Sequence, residues 1–197
     1  MTAANTLKRY GSVAMTFHWL IAFAVILNIC LGLYMSDLPR GDPNLSFILQ
    51  THKSIGLTVL VLSLGRLGWR LANPIPPLPA TMNPLLRRVA RGTHYLLYFL
   101  IIFIPLSGWA LVSASSHVTP IVWFGLFQWP HIPFLADLPH AQRAPLHRDF
   151  DFVHVYLAWS AIVLVPIHIA GALYHQFVRG DDVLKRMLPG ARISKVA

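Results

Sequence analysis

Four long, apolar, nearly uncharged stretches limit the fold of this 197-residue chain more than any other feature. They run over residues 13–35, 52–71, 94–113 and 152–178, and the second carries Arg66 and Arg70 only at its far end. A helix needs about 20 residues to cross the hydrocarbon core of a bilayer, because each residue rises only about 1.5 Å. All four are long enough, and the fourth has length to spare for tilt. The expected fold is all-α: an integral membrane four-helix bundle, with residues 1–197 as one transmembrane domain.

A fifth span over 118–136 fails on chemistry. Pro120, Pro130 and Pro133 interrupt it, and proline removes a helix hydrogen bond and clashes with the preceding turn. Its Trp123, Phe124, Phe127, Trp129 and Phe134 suit a membrane–water boundary, so it reads as an interfacial lip within the one long connection, 114–150. The first span reads as a retained anchor. Its apolar run is too long for a signal peptide, and no small-residue cleavage site follows. The proline-rich 73–79 stretch reads as a stiff turn closing the second span.

Charge supports this reading. Charged residues make up 12% of the chain, about half the usual share of about 25% for soluble domains. A disordered or collagen-like chain is excluded, and the basic residues form no dense patch of the kind that binds nucleic acid. With four spans, 12 of the 16 Lys and Arg residues fall on the side of the two termini, and only Arg40, Lys53, Arg143 and Arg148 fall on the other. The positive-inside rule then puts both termini in the cytoplasm. The basic tail (Arg179, Lys185, Arg186, Arg192, Lys195) reads as topology and anionic-lipid contact. The single Cys30 sits in an apolar run, which excludes a disulfide framework, a Cys-rich zinc site and covalent c-type haem.

Against this background the ten histidines stand out, since they outnumber the seven acids, all Asp. An ionisable residue in a span is a functional-site candidate by default. His154 and His168 lie 14 residues apart, nearly four turns and about 21 Å of rise, so they share a helix face. Ala161 is midway between them, and Gly171 and Ala172 follow. In an antiparallel bundle His52, with Gly56 one turn on, matches the depth of His154, and His18 matches that of His168. Two depth-matched pairs of imidazoles suit the axial ligation of two haem irons. Zinc is a weaker alternative because no carboxylate or thiol stands nearby to complete a tetrahedral site. A proton relay is another, although such relays usually include Asp or Glu. A single histidine near a helix end is otherwise an ordinary interfacial residue.

The order and spacing of short motifs resemble the bacterial cytochrome b561 family of four-helix, di-haem b membrane proteins. The matching residues are Phe17-His18-Trp19-Leu20, Thr51-His52-Lys53-Ser54, the run from Gly65 to Leu71, and Gly92-Thr93-His94-Tyr95 with Pro105 and Gly108. The spaced trio His154, His168 and His175 completes the pattern. The resemblance covers nearly the whole chain. It implies a single cytochrome b domain in the bacterial inner membrane, and two haem b groups ligated by His52 with His154 and by His18 with His168. It also implies electron exchange with ubiquinone. Some family members resemble superoxide oxidases, so an outer-face donor such as superoxide, and a superoxide:ubiquinone oxidoreductase activity, are expected. The alternative is a haem b anchor subunit that relays electrons between quinone and a soluble dehydrogenase or hydrogenase partner.

Four further residues are candidate quinone or haem-propionate contacts. Arg66 and Arg70 share a helix face and offer several donors, with snorkelling to headgroups as the plain alternative. His94 and His175 could carry protons near neutral pH, or be interfacial, and His94 is a substitute for His18 as ligand. Lys53 and Arg148, with Arg143 and His147, could steer an anion, or be solvated loop charges. His117, His131 and His140 read as loop residues without a role.

Overall fold

The computed structural model describes residues 2–79, 82–116 and 119–193. His117, Val118 at the start of the rejected fifth span, and Lys195 of the basic tail lie outside the described residues. The described chain is dominated by four long helices: α1 (Ser12–Asp37), α2 (Leu45–Ala72), α3 (Pro84–Ser113) and α5 (His140–Tyr174). All four are long and apolar enough to cross a membrane. A short hairpin of β1 (Ile121–Trp123) and β2 (Phe127–Trp129) and the one-turn α4 (Pro133–Ala136) lie between α3 and α5.

Each long helix outruns its apolar stretch. The turns before His94 are charged yet helical, and α2 begins with the largely apolar Leu45–Thr51 ahead of His52. Residues 140–150, read from sequence as connection, are the first turns of α5. His140, Arg143, His147 and Arg148 are therefore helical residues rather than loop residues, and Arg87, Arg88 and Arg91 open α3. Asn83 starts α3 by accepting a hydrogen bond from the Leu85 amide (2.8 Å), with Pro84 at the first helical position.

The outward faces are apolar, as a lipid solvent requires: Phe23, Phe47, Leu71 and Val163 are exposed. The interior uses small residues instead. Ser54, Ser63, Ser107, Ser113, Ala110 and Ala161 are buried, beside Met15 and Leu100. Small side chains let helices approach closely where lipid supplies no hydrophobic drive. Ser54, Thr58 and Ser113 return their hydroxyls to the carbonyls of Gln50, Ser54 and Trp109, which satisfies them within their own helix. Cys30 is exposed on α1, on the lipid side of this arrangement.

Helix α3 packs on α5, α1 on α2, and α2 on α3, whereas α5 makes almost no backbone approach to α1 or α2. The bundle is thus open along the inner face of α5.

At one end, the hairpin folds over α2. Ser54 Oγ accepts from the Phe124 amide (3.0 Å), and Trp123 Nε1 donates to Thr58 Oγ1 (3.1 Å). Its turn puts Phe124 and Gly125 at positive φ (46° and 75°), a conformation that Gly tolerates and a bulky residue adopts only when held. The 118–136 segment is therefore a hairpin and a single helical turn among its described residues, not a span.

At the other end both termini meet the connection between α2 and α3. Asn5 Nδ2 donates to the Pro74 carbonyl (3.0 Å), Arg9 Nη1 to Ala191 (2.8 Å) and Trp19 Nε1 to Met187 (2.8 Å). Arg186 bonds the Pro77 carbonyl, and Lys185 pairs with Asp182 (3.1 Å). The part of the tail over 185–191 is thus packed against the protein, which the sequence reading did not anticipate.

Candidate functional site

The interior faces of three helices present the histidines. On α1, His18 lies on the stripe of buried Ala14 and Ile21. On α2, His52 shares a stripe with buried Ile48, Ile55 and Val59. On α5, Ala161 is the one buried residue of the helix, and His154 and His168 sit seven residues to either side of it. Seven residues is close to two turns, so all three face the opening.

Across that opening the rings meet in pairs. His52 and His154 have centroids 6.2 Å apart with planes at 81°. His18 and His168 are 6.3 Å apart at 82°. His94 of α3 also approaches His168, at 5.3 Å. An imidazole nitrogen binds a first-row metal at about 2.0 Å, and the nitrogen is about 1.1 Å from its ring centre, so two imidazoles on opposite sides of one ion have centres about 6.2 Å apart. The first two pairs have this spacing, and the His94–His168 contact is too short for it.

The donor set fits a haem. Among the described residues no group of three or more His, Cys, Asp or Glu side chains converges. Two imidazoles alone suit an iron whose remaining ligands come from its own macrocycle. The helices that carry each pair are held apart, which leaves room for a flat group. Gly171 adjoins open space as well. His18 Nδ1 is shut off from solvent with no hydrogen-bond partner among the described residues, a costly state for a buried polar atom.

Neighbouring residues aim the rings. His154 Nδ1–H donates to the Ile104 carbonyl (3.0 Å) and lies 3.1 Å from Ser107 Oγ, which puts the proton on Nδ1 and leaves Nε2 free to ligate. A Cβ at Gly108 would come within 3.0 Å of the His154 ring, and one at Gly32 within 3.3 Å of the His52 ring. These two glycines make the close approach possible. Sequence reasoning noted Gly108 only as part of a motif and missed Gly32. Gly56, placed on the His52 face, instead adjoins Asn28 of α1.

The remaining candidates divide. Arg66 and Arg70 both place their guanidinium groups over the Tyr98 ring of α3, at 5.3 and 5.2 Å. Burial pushes the nearby Tyr10 phenol up, and the two arginines oppose that shift. His94 Nδ1–H donates to the Ala90 carbonyl (2.6 Å). His175 bonds Asp181 (2.7 Å) rather than any ring of the two pairs. At the hairpin end Lys53 is half-buried and Arg148 exposed. Arg143 and His147 are structural: they bond the carbonyls of Ser115 (3.1 Å) and Leu111 (3.0 Å) and tie α5 to α3. His131, given no role from sequence, lies near Lys53, and burial followed by that charge holds its imidazole below the usual range.

Comparison with known proteins agrees with this architecture. Prokaryotic cytochrome b561 matches residues 9–190. The chain belongs to this family. The "cytochrome b561 homolog 2" of Escherichia coli K12 is 39% identical over 190 residues, covering 95% of each chain. The "probable superoxide oxidase CybB" of Yersinia pestis is 29% identical over 94% of this chain and 98% of that one. The "cytochrome b562" of Cereibacter sphaeroides is 28% identical over 91% and 94%. As a member of the cytochrome b561 family, the chain is a bacterial membrane protein that binds haem b and transfers electrons.

Proposed function

We propose that this b561-family chain is one transmembrane domain that holds two haem b groups, one between His52 and His154 and one between His18 and His168. It passes electrons between a donor at the hairpin end and ubiquinone at the end where the termini meet. The observation that carries the reading is the near-identical spacing of the two pairs, 6.2 and 6.3 Å, on one face of α5. The pairs are 14 residues apart, about 21 Å along the helix axis, so together they connect the two leaflets.

Bound haem supplies the one-electron redox change, and the protein supplies ligation, spacing and a dry surround. Arg66 and Arg70 carry positive charge over the Tyr98 ring, with Arg66 close to His18 and His168 and Arg70 close to His94. Their charge suits haem propionates, or a quinone oxygen. His94, adjacent to the same pair, offers a further quinone contact.

Superoxide is the best-supported donor. A relative of nearly full coverage is named a probable superoxide oxidase. Lys53 lies beside His52 in sequence, so an anion reaching the hairpin end meets a cation next to the outer pair. Arg148 adds an exposed charge at that end. The charge asymmetry supports an orientation with both termini in the cytoplasm, which in the inner membrane would have superoxide oxidised on the outer side.

Stopped-flow mixing of oxidised, detergent-purified protein with superoxide tests this directly. Haem reduction, followed by reoxidation on adding ubiquinone-1, is the expected result. Haems that superoxide leaves oxidised, in a protein that co-purifies stably with a soluble redox subunit, would instead support the anchor role.

A further inference from the structure

We propose that His175 and Asp181 form a proton-delivering pair at a quinone-binding cavity beside the helix terminus of α5. The proposal rests on the quinone reading above and assigns that reading a place and a proton source.

The local backbone explains why the pair exists. Helix α5 does not stop at Tyr174 but widens into a π-turn over His175–Arg179, a departure often found at functional positions. Gly180 follows at φ +64°, the left-handed conformation that glycine adopts without a Cβ clash. The chain reverses there, and the Asp181 amide bonds back to the His175 carbonyl (3.2 Å). Asp181 Oδ2 then accepts from His175 Nδ1 at 2.7 Å, while its Oδ1 accepts from the Val183 amide (3.1 Å). The carboxylate is held in place from both sides.

A cavity of about 300 Å³ opens on this pair. Met82 and Leu86 form an apolar wall, and Tyr174, Arg179 and the pair face it. The volume is at the small end of ligand pockets and suits one ring-sized headgroup. Leu86 of the lining is half exposed, and Phe177 and Val178 on the same π-turn as His175 are largely exposed, so an isoprenoid tail leaving the cavity would meet an apolar surface. Among the described lining residues α3 contributes no charge, so Asp181 and Arg179 set the local field.

The chemistry requires such a pair. A quinone becomes a quinol by taking two electrons and two protons onto its two oxygens. His175 lies seven residues past His168, on the same face and about 10 Å along the axis, so electrons leaving that pair arrive close by. The His175–Asp181 bond fixes the proton on Nδ1 and leaves Nε2 as the nitrogen that exchanges a proton with the cavity. Asp181 holds the ring in one orientation. His175 Nε2–H gives a proton to the quinone oxygen that it faces and is reprotonated from solvent at the helix terminus, while the opposite oxygen takes its proton from solvent. The four apolar stretches (13–35, 52–71, 94–113 and 152–178) carry no carboxylate, and Asp181 supplies one at this end only because the tail folds back.

The test uses the purified holoprotein, fully reduced and mixed with ubiquinone-1 or with ferricyanide, which takes an electron without a proton. His175→Asn should retain wild-type haem content and ferricyanide rate, and slow reoxidation by ubiquinone-1 by about 100-fold, the range of a lost general acid. Asp181→Asn should slow it by about 10-fold, with Asp181→Glu restoring most of the rate. Unchanged ubiquinone-1 rates in both variants, or equal slowing with ferricyanide, would overturn the assignment while leaving the quinone reading intact. Wild-type protein that ubiquinone-1 fails to reoxidise would overturn both.

Discussion

The rings of His52 and His154 stand 6.2 Å apart with planes at 81°, although the helices that carry them make almost no backbone approach to each other. Two side chains are thus aligned across a space that the backbone leaves open. The alignment is set from outside the pair, by the Ile104 carbonyl and Ser107 on one ring and by glycines against both.

Those glycines give the first prediction. In Gly108→Ala the new methyl would stand 3.0 Å from the His154 ring and push it aside. Overpacking of this kind costs about 1–3 kcal/mol and shifts the ring from its axis. The expected result is loss or a marked spectral change of one haem, read by low-temperature optical spectroscopy. Gly68→Ala, where a Cβ meets open space, should leave both haems unchanged.

Arg66 and Arg70 share the Tyr98 ring, and Arg66 lies close to both members of the His18–His168 pair. Positive charge near an iron favours its reduced form. Arg66→Gln should therefore lower the midpoint potential of that haem by tens of millivolts, on the order expected for a charge several ångströms away in a partly screened site. The haem of the His52–His154 pair should move much less in the same potentiometric titration.

The hairpin depends on Ser54, whose hydroxyl accepts the Phe124 amide while donating to Gln50. Ser54→Ala leaves that amide without its partner, a loss of about 1–3 kcal/mol. Limited proteolysis should then cut the connection between α3 and α5 several-fold faster than in the wild type, with the haem content retained.

Gly180 supports the reversal that carries Asp181 back to His175. Gly180→Ala places a Cβ in a left-handed conformation and costs about 1–2 kcal/mol. Its expected signature is slowed reoxidation by ubiquinone-1 with an unchanged ferricyanide rate, a milder copy of Asp181→Asn.

Much of this arrangement was legible in the sequence because lipid imposes strict rules. The four apolar runs give the spans, and a 14-residue interval on one helix puts His154 and His168 on one face whatever the rest of the fold does. The ends were less legible. Helical hydrogen bonding continues through polar or charged turns such as 84–93 and 140–150, so hydropathy marks the membrane and not the helix. Arg143 and His147 looked like free charges because their carbonyl partners, Ser115 just past α3 and Leu111 on it, are 28 and 36 residues away in sequence. The His175–Asp181 pair depends on one left-handed glycine, and the tail's contacts with Arg9 and Trp19 join the two ends of the chain. Neither has a periodic signal.

The central claim is that four histidines form two separate haem sites, and haem content measures it most directly. Pyridine haemochrome assays on purified wild-type protein should give two haems b per chain. His52→Ala and His154→Ala should each lose one haem and show the same remaining spectrum. His18→Ala and His168→Ala should each lose the other. A single haem in the wild type, or loss of the same haem in His52→Ala and His18→Ala, would contradict the account.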